Sequence, residues 1–464
     1  MNHESENNRL RTVAGGRQSS QQVTAKLIST SAAVTSQQTM DLPQATLSRR
    51  RLLTGAISGT IITQVGAQTV DTDEVVTSWT QLRSQWVLNP RLAYFDTARM
   101  APRTRAMLVA EYRALEALHS DPAAFFRDRY SADDIKTLCN RLANWLDCTA
   151  DELCFATDAA SGLQGYAQQV PLQVGDEIVL HTQLPPALHE FWQQQARNRG
   201  LVVKLVNLPV PLLNSAQVVT AFENALSDRS RILMCSHVQK LDGAILPIKE
   251  LAALARSRNV LSLIDGSLSL GALQFSLSDL GCDAYGSSFA HWLNGPEAGL
   301  LYLRRDLHAT LNTNSVTQPQ LDTHDWPYLA GLLPTVITTN ASQLQVLPLA
   351  LGLQERIGRA RIEARLLELQ TYARLQVQTL ADVETLTPTQ PGMYLHLLSV
   401  RPLHRNAEQL ANWLRTNDQV LVSAIGAASI DPTLTNVLRI SLNLYNSFDD
   451  IDRMVMGLRR ALRS

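Results

Sequence analysis

The sequence predicts an α/β layer fold, a mostly parallel sheet flanked by helices, followed by a smaller α+β unit. Three observations carry that expectation. From about residue 104, short apolar runs alternate with amphipathic stretches of helical length. The connections between the runs are long enough for crossovers, which joins them in parallel. Near Pro334 the pattern changes to one long Leu/Ile-spaced stretch followed by three more apolar runs. The strands of the first unit are expected at 152–156, 177–181, 202–208, 231–236, 260–265 and 299–304. Helical patterns at 186–198, 218–227 and 248–258 lie between them. In the second unit one helix is expected over 342–376, strands at 393–400, 420–424 and 437–443, and helices at 407–416 and 449–463. Gly392 and the stretch 385–391 read as a linker within it. The domain organisation is therefore a leader over 1–67, an N-terminal arm and large domain over 80–335, and a small C-terminal domain over 336–464.

Charge and composition exclude some functions. The 464 residues are 45% apolar and carry a formal net charge of -1, which leaves no basic footprint for nucleic acid or an anionic membrane. Residues 1–47 are rich in Ser, Gln, Thr and Asn and show no apolar period, as in disordered segments. Ser48-Arg-Arg-Arg-Leu-Leu-Thr-Gly-Ala56 and the mildly apolar run to Ala67 resemble a twin-arginine export signal, with Val65-Gly-Ala67 as the small-residue cleavage pattern. The expectation is export to a periplasm, with Met40 giving a more usual start than Met1; the alternative is a chance arginine cluster on a cytoplasmic protein. The apolar run is too short and interrupted to span a membrane. Cys139, Cys148, Cys154, Cys235 and Cys282 form no CxxC pair and read as small buried hydrophobes, giving no metal site.

Ligands of open α/β sheets sit beyond the carboxyl ends of the strands. Asp265 ends one apolar run, where it either holds a protonated pyridine nitrogen or caps the next turn. His237 ends another and by position alone is more often a core residue. Arg439, in Val437-Leu-Arg-Ile-Ser-Leu-Asn443, faces either solvent or a ligand carboxylate.

From Tyr94 to Arg460 the chain resembles the class V aminotransferases, fold-type I pyridoxal phosphate (PLP) enzymes, and within them the isopenicillin N epimerase-like branch. The resemblance rests on Val174-Gly-Asp-Glu-Ile-Val-Leu180, Ser236-His-Val238, Gly243, Leu246-Pro-Ile-Lys-Glu-Leu-Ala252, Asp265-Gly266, Leu280-Gly-Cys-Asp283, Trp292-Leu-Asn-Gly-Pro296, Ile357-Gly358, Arg361-Ile-Glu-Ala-Arg365, Arg439-Ile-Ser441 and Tyr445-Asn446. It implies a large domain with a seven-stranded mixed sheet, a smaller C-terminal domain, and a homodimer with active sites at the subunit interface. It also implies roles: Asp265 for the cofactor ring nitrogen, His237 near the ring, Ser288 for the phosphate, Thr339 for the phosphate across the dimer, and Arg439 for a substrate carboxylate.

Other matched positions have lost their chemistry. His291 stands where the resemblance requires the cofactor lysine, and an imidazole cannot form a Schiff base with an aldehyde. The five lysines are Lys26, Lys136, Lys204, Lys240 and Lys249, so no shift of register restores one there. The phosphate-cupping hydroxyl pair is Ala159-Ala160, leaving Ser161 and a helix start for an anion. Leu268 replaces a Gln or His, and Pro185 an aromatic or imidazole stacking face. Two lost hydroxyls at about 1 kcal/mol each and a lost stack at about 1 kcal/mol lower affinity roughly a hundredfold before any covalent term.

Three readings follow. The chain is a degenerate member, a pseudoenzyme that has lost lysine-dependent PLP chemistry and binds a small carboxylate or amino-acid-like ligand, or a partner. Or it is an active transferase, lyase or epimerase holding PLP or its amine form non-covalently, with His291 as general base, as in some sugar dehydratases of this fold. Or Lys240 reaches the aldehyde instead.

Overall fold

The computed structural model describes residues 78–129, 131–311, 341–425 and 435–464. The leader and Thr339 lie outside the described residues. The larger sheet is built from β2 (Leu153–Ala156), β3 (Glu177–His181), β4 (Val202–Val206), β5 (Ser230–Ser236), β6 (Leu261–Asp265), β7 (Ala284–Ser288) and β8 (Gly299–Leu303), preceded in the chain by β1 (Ala93–Phe95). The order β2-β8-β7-β6-β5-β3-β4 is mixed: β3 to β7 run parallel, and β8 is antiparallel to both its neighbours. The helices Pro186–Arg199, Ser215–Ala225 and Ile248–Ser257 are the crossovers.

Burial on both faces explains the unbroken apolar runs of the central strands. Ile178, Leu180, Ile232, Met234 and Leu263 turn to one core with Tyr166, Phe191 and Trp192. The alternate residues Val179, Leu233, Cys235, Ile264 and Tyr285 turn to the other. All five cysteines are free and four are buried.

The small sheet has the order β1-β11-β12-β10-β9, from β9 (Val383–Thr385), β10 (Leu397–Pro402), β11 (Val420–Ile425) and β12 (Val437–Ser441). The helices Arg359–Val377, Ala407–Asp418 and Phe448–Arg463 share a core with it. Its first strand comes from the chain's N-terminal side, with β1 parallel to β11, a long-range partner that periodicity cannot reveal.

Two expectations are corrected and one strand was not anticipated. The single helix over 342–376 is three segments, Ala341–Leu344, Leu347–Ile357 and Arg359–Val377. Gly358 adopts φ 87° between the last two, a left-handed-region angle that ends a helix, and Pro348 opens the middle one. The stretch read as a linker from 385 begins inside β9, which pairs with β10. And β7, Ala-Tyr-Gly-Ser-Ser, lacks the apolar signal of a strand. It pairs between β6 and β8, and Gly286 lets the helix Ala159–Gln169 press on it. A Cβ at Gly286 would lie 2.6 Å from the Ala159 carbonyl oxygen.

Candidate functional site

Strand pairing sets Ser236, Asp265 and Gly286 side by side at the carboxyl ends of β5, β6 and β7. Asp265 is buried. Its Oδ2 accepts from Ser236 Oγ at 2.9 Å, and its Oδ1 accepts from Ser267 Oγ at 2.5 Å and Ser267 N at 3.1 Å. Burial pushes its carboxyl pKa up, opposed by those serines and, more distantly, by the Lys240 charge. The turn-capping geometry is thus present.

His237 lies in a buried aromatic cluster. Its Nδ1 is 2.8 Å from the Tyr285 hydroxyl, which is 2.5 Å from Ser269 Oγ, and its ring is 5.4 Å from that of Phe275. Burial pulls its pKa down to about 3, so the ring is neutral. Gly266 seals this cluster: a Cβ there would fall 2.0 Å from Tyr285 Cε1. Gly266→Ala is expected to lower stability by about 1–3 kcal/mol, the cost of overpacking, read as a lower urea midpoint. An unchanged midpoint would mean that the Tyr285 ring is free to move.

The start of the helix Ala159–Gln169 approaches β7 and β8 because glycine stands at 286 and 299. Asp158 caps it: Ser161 N donates to Asp158 Oδ1 at 2.7 Å, and Asp158 N donates to Ser161 Oγ at 3.0 Å. The Ser161 hydroxyl in turn donates to the Asp158 carbonyl at 2.9 Å. A carboxylate therefore already serves this helix N-terminus. Ser288, at the end of β7, accepts from Ala290 N at 3.3 Å.

His291 belongs to a segment stapled to the N-terminal side of the chain and to β12. Ala101 N donates to the Ala290 carbonyl, Asn294 Nδ2 to the Pro102 carbonyl, and Trp292 Nε1 to the Leu442 carbonyl at 2.7 Å. The His291 Nδ1 donates to the Thr97 carbonyl at 3.2 Å. Burial brings its pKa to about 4, so at neutral pH its proton sits on Nδ1 and Nε2 keeps the lone pair.

Arg439 faces inward rather than toward solvent, and the carboxylate it meets is that of Asp96. Its Nη2 donates to Asp96 Oδ1 at 3.2 Å, with side-chain exposures of 4% and 5%, and to Ser423 Oγ at 3.1 Å. Its Nη1 is 3.4 Å from the Lys240 carbonyl oxygen. Its Nε is buried without a partner. Lys240 is accessible to solvent although protein surrounds its ammonium. Burial and then the Arg439 charge lower its pKa, while Asp265 and Asp96 oppose the shift. Lys204 is elsewhere, held by Glu177 at 2.7 Å and the Ala225 carbonyl.

Two groups escaped the sequence reading. Asp96 follows a three-residue strand with no distinguishing pattern. Behind Lys240 lies a buried chain of His181, Gln239, Asp242 and Gln183. Gln183 Nε2 donates to Asp242 Oδ2 at 3.2 Å. With the Gln239 amide oxygen turned to His181 Nε2, its nitrogen lies 2.7 Å from the Asp242 carboxylate. The acidic residue beside Gly243 was the one available signal.

The family model for aminotransferase class-V matches residues 93–454, and the chain belongs to that family. It is 27% identical over 400 residues to an isopenicillin N epimerase from Amycolatopsis lactamdurans, covering 83% of this chain and 99% of the relative. It is 24% identical over 421 residues to a cysteine desulfurase from Yersinia pestis (strain Pestoides F), covering 82% and 95%. The fold is shared with solved structures. The cysteine desulfurase CsdA from Escherichia coli matches with a TM-score of 0.70 at 20% identity, covering 84% of this chain and 99% of that one. A C-DES variant with glycine covalently linked to its PLP cofactor gives 0.72 at 20% identity, covering 81% and 98%.

Proposed function

We propose that this chain is an exported, isopenicillin N epimerase-like member of its family that has lost lysine-dependent PLP chemistry. It keeps a pocket for a small carboxylate or amino-acid-like ligand. One observation carries the reading: the residue at the cofactor-lysine position is His291, whose Nδ1 is committed to the Thr97 carbonyl. The phosphate end does not fit a lysine-linked PLP either. A phosphate at the start of the helix Ala159–Gln169 would meet the Asp158 carboxylate, a like charge on the amides it needs. Asp265 by itself does not exclude the cofactor ring, since its Oδ2 has a single serine donor and keeps a lone pair. Arg439 is the retained ligand group, with an inward guanidinium and an unpaired Nε. By resemblance Ser288, Ser161 and Thr339 would add hydroxyls for a phosphate, though the Ser161 hydroxyl already donates to the Asp158 carbonyl.

The second reading gives His291 the work of a general base on a non-covalently held cofactor. Its free Nε2 favours that geometry. Its pKa of about 4 weighs against it, since an effective base titrates near the working pH.

Calorimetric titration with propionate tests the retained pocket: saturable heat is expected, weakened in Arg439→Gln. No heat from the native protein would remove that part of the reading. Self-association into a homodimer belongs to the same reading. The helix Arg105–Ser120 exposes Leu108, Val109, Tyr112 and Leu115 along one side, more apolar surface than a lone helix needs to show solvent. Light scattering is expected to give twice the chain mass; a monomer at all concentrations would contradict this. Among the described residues no helix is long and apolar enough to cross a membrane. Periplasmic export is proposed from the leader alone. Replacing Arg49 and Arg50 by lysine is expected to leave the protein in the cytoplasm, and unchanged periplasmic recovery would refute the signal.

A further inference from the structure

The turn that carries Lys240 is held far more firmly than a surface turn requires. Gln239 N donates to the Ala244 carbonyl at 2.8 Å, and Gly243 N donates to the Gln239 carbonyl at 3.1 Å. Ala244 N donates to Asp242 Oδ1 at 3.0 Å, and Thr387 Oγ1 donates to the Asp242 carbonyl at 2.6 Å. Gln183, Gln239 and Asp242 are all buried beneath it. Gly243 sits at φ 75°, where a Cβ would lie 2.7 Å from Leu397 Cβ, so the turn is also jammed against β10. The lysine side chain alone leaves this frame and remains accessible.

What the turn faces is equally specific. The Lys240 carbonyl is 3.4 Å from Arg439 Nη1. Pairing sets Ser399 and Ser423 directly opposite Arg439, and Ser441 opposite Leu397. Of these polar groups, Arg439 Nε, Ser399 Oγ and Ser441 Oγ are buried and have no partner. Unpaired buried donors beside a guanidinium call for an acceptor. Asp96 neutralises only part of that donor set, through a single oxygen on Nη2 and Ser423.

We propose that Lys240 forms an imine with the carbonyl of a small 2-oxo acid whose carboxylate is taken by Arg439. The proposal deepens the carboxylate pocket suggested above and rests on it. In a 2-oxo acid the carbonyl and carboxylate carbons are bonded to each other, so an amine and a guanidinium that catch both must be neighbours; the Lys240 backbone carbonyl touches Arg439 Nη1, and the two side-chain charges are close enough to repel. The step balances without any oxidant or reductant. The neutral amine attacks the carbonyl carbon, the oxygen takes a proton to give a carbinolamine, and loss of water leaves the imine. A lysine beside a second cation and partly removed from water keeps more of its amine neutral, which is the state the attack needs.

The experiment uses the native protein, sodium pyruvate as the probe, and borohydride to fix any imine as a stable secondary amine. Digestion and mass spectrometry then locate the adduct. Labelling is expected at Lys240 roughly tenfold above Lys136, Lys204 or Lys249, as preorganised proximity gives. It should vanish in Lys240→Ala, while the unfolding midpoint of that variant confirms that the fold is kept. Propionate, with the carboxylate and no carbonyl, should slow the labelling; this arm needs no Arg439 variant, which could fail to fold. Equal labelling of all lysines, or none at Lys240, overturns the proposal. If propionate binds calorimetrically while Lys240 stays unlabelled, the imine falls and the carboxylate pocket stands. If Lys240 labels selectively but propionate neither binds nor protects, the carboxylate pocket falls, and this proposal with it.

Discussion

Lowering the pH from 7 to 5 is expected to remove a large part of the protein's stability. His181, His237 and His396 are buried with pKa values of about 3, and His291 with one of about 4, in each case chiefly because burial penalises the imidazolium. In the unfolded chain a histidine titrates near 6.5. Between about 6.5 and 4 the unfolded state therefore binds protons that the folded state refuses, and stability falls as pH falls. The stability is complete above the unfolded pKa and lost progressively below it. Each ring costs roughly 2 kcal/mol at pH 5, so four together cost on the order of 8 kcal/mol against a typical total of about 5–15. Tryptophan fluorescence followed against pH reads the transition. His396 is the sharpest case, since both ring nitrogens lack a side-chain partner and the ring lies edge-on to Trp292 with centroids 4.2 Å apart. His396→Phe is expected to move the midpoint to lower pH. Native fluorescence retained down to pH 4 would show that these rings reach water.

Asp96→Ala is expected to cost about 3–5 kcal/mol, the usual penalty for removing one member of a buried ion pair. The change strands the Arg439 guanidinium and also removes the acceptor of the Ser423 hydroxyl at 2.5 Å. The double variant Asp96→Ala with Arg439→Met should recover part of the loss, because no charge is then left unpaired. Urea unfolding of the two variants measures both effects. A cost below 1 kcal/mol would mean that solvent reaches the pair. Asp96→Asn carries a functional corollary: with the competing charge gone, Arg439 should bind propionate more tightly.

The large sheet was legible because its central strands are buried on both faces and read as continuous apolar runs such as Ile232-Leu-Met-Cys. The strand β7 was hidden for the opposite reason, since its identity comes from neighbours on both sides and from Gly286. The helix break at Gly358 turns on one backbone angle. For the site, Asp265 and Arg439 could be named because each ends or lies within a recognisable strand. Their partners could not. Asp96 reaches Arg439 across 343 positions of chain, and the frame under Lys240 joins β3, β5 and the segment before β10. Such contacts leave no periodic trace.

The central claim concerns position 291 and is tested by the spectrum of the purified protein. The protein should be produced with excess pyridoxal phosphate, desalted, scanned in the visible range and then treated with borohydride. No visible band is expected to survive desalting, because an aldehyde that condenses reversibly with Lys240 leaves with the excess when nothing else holds it. A band that borohydride bleaches, with the reduced cofactor recovered on a peptide of this chain, would contradict the account.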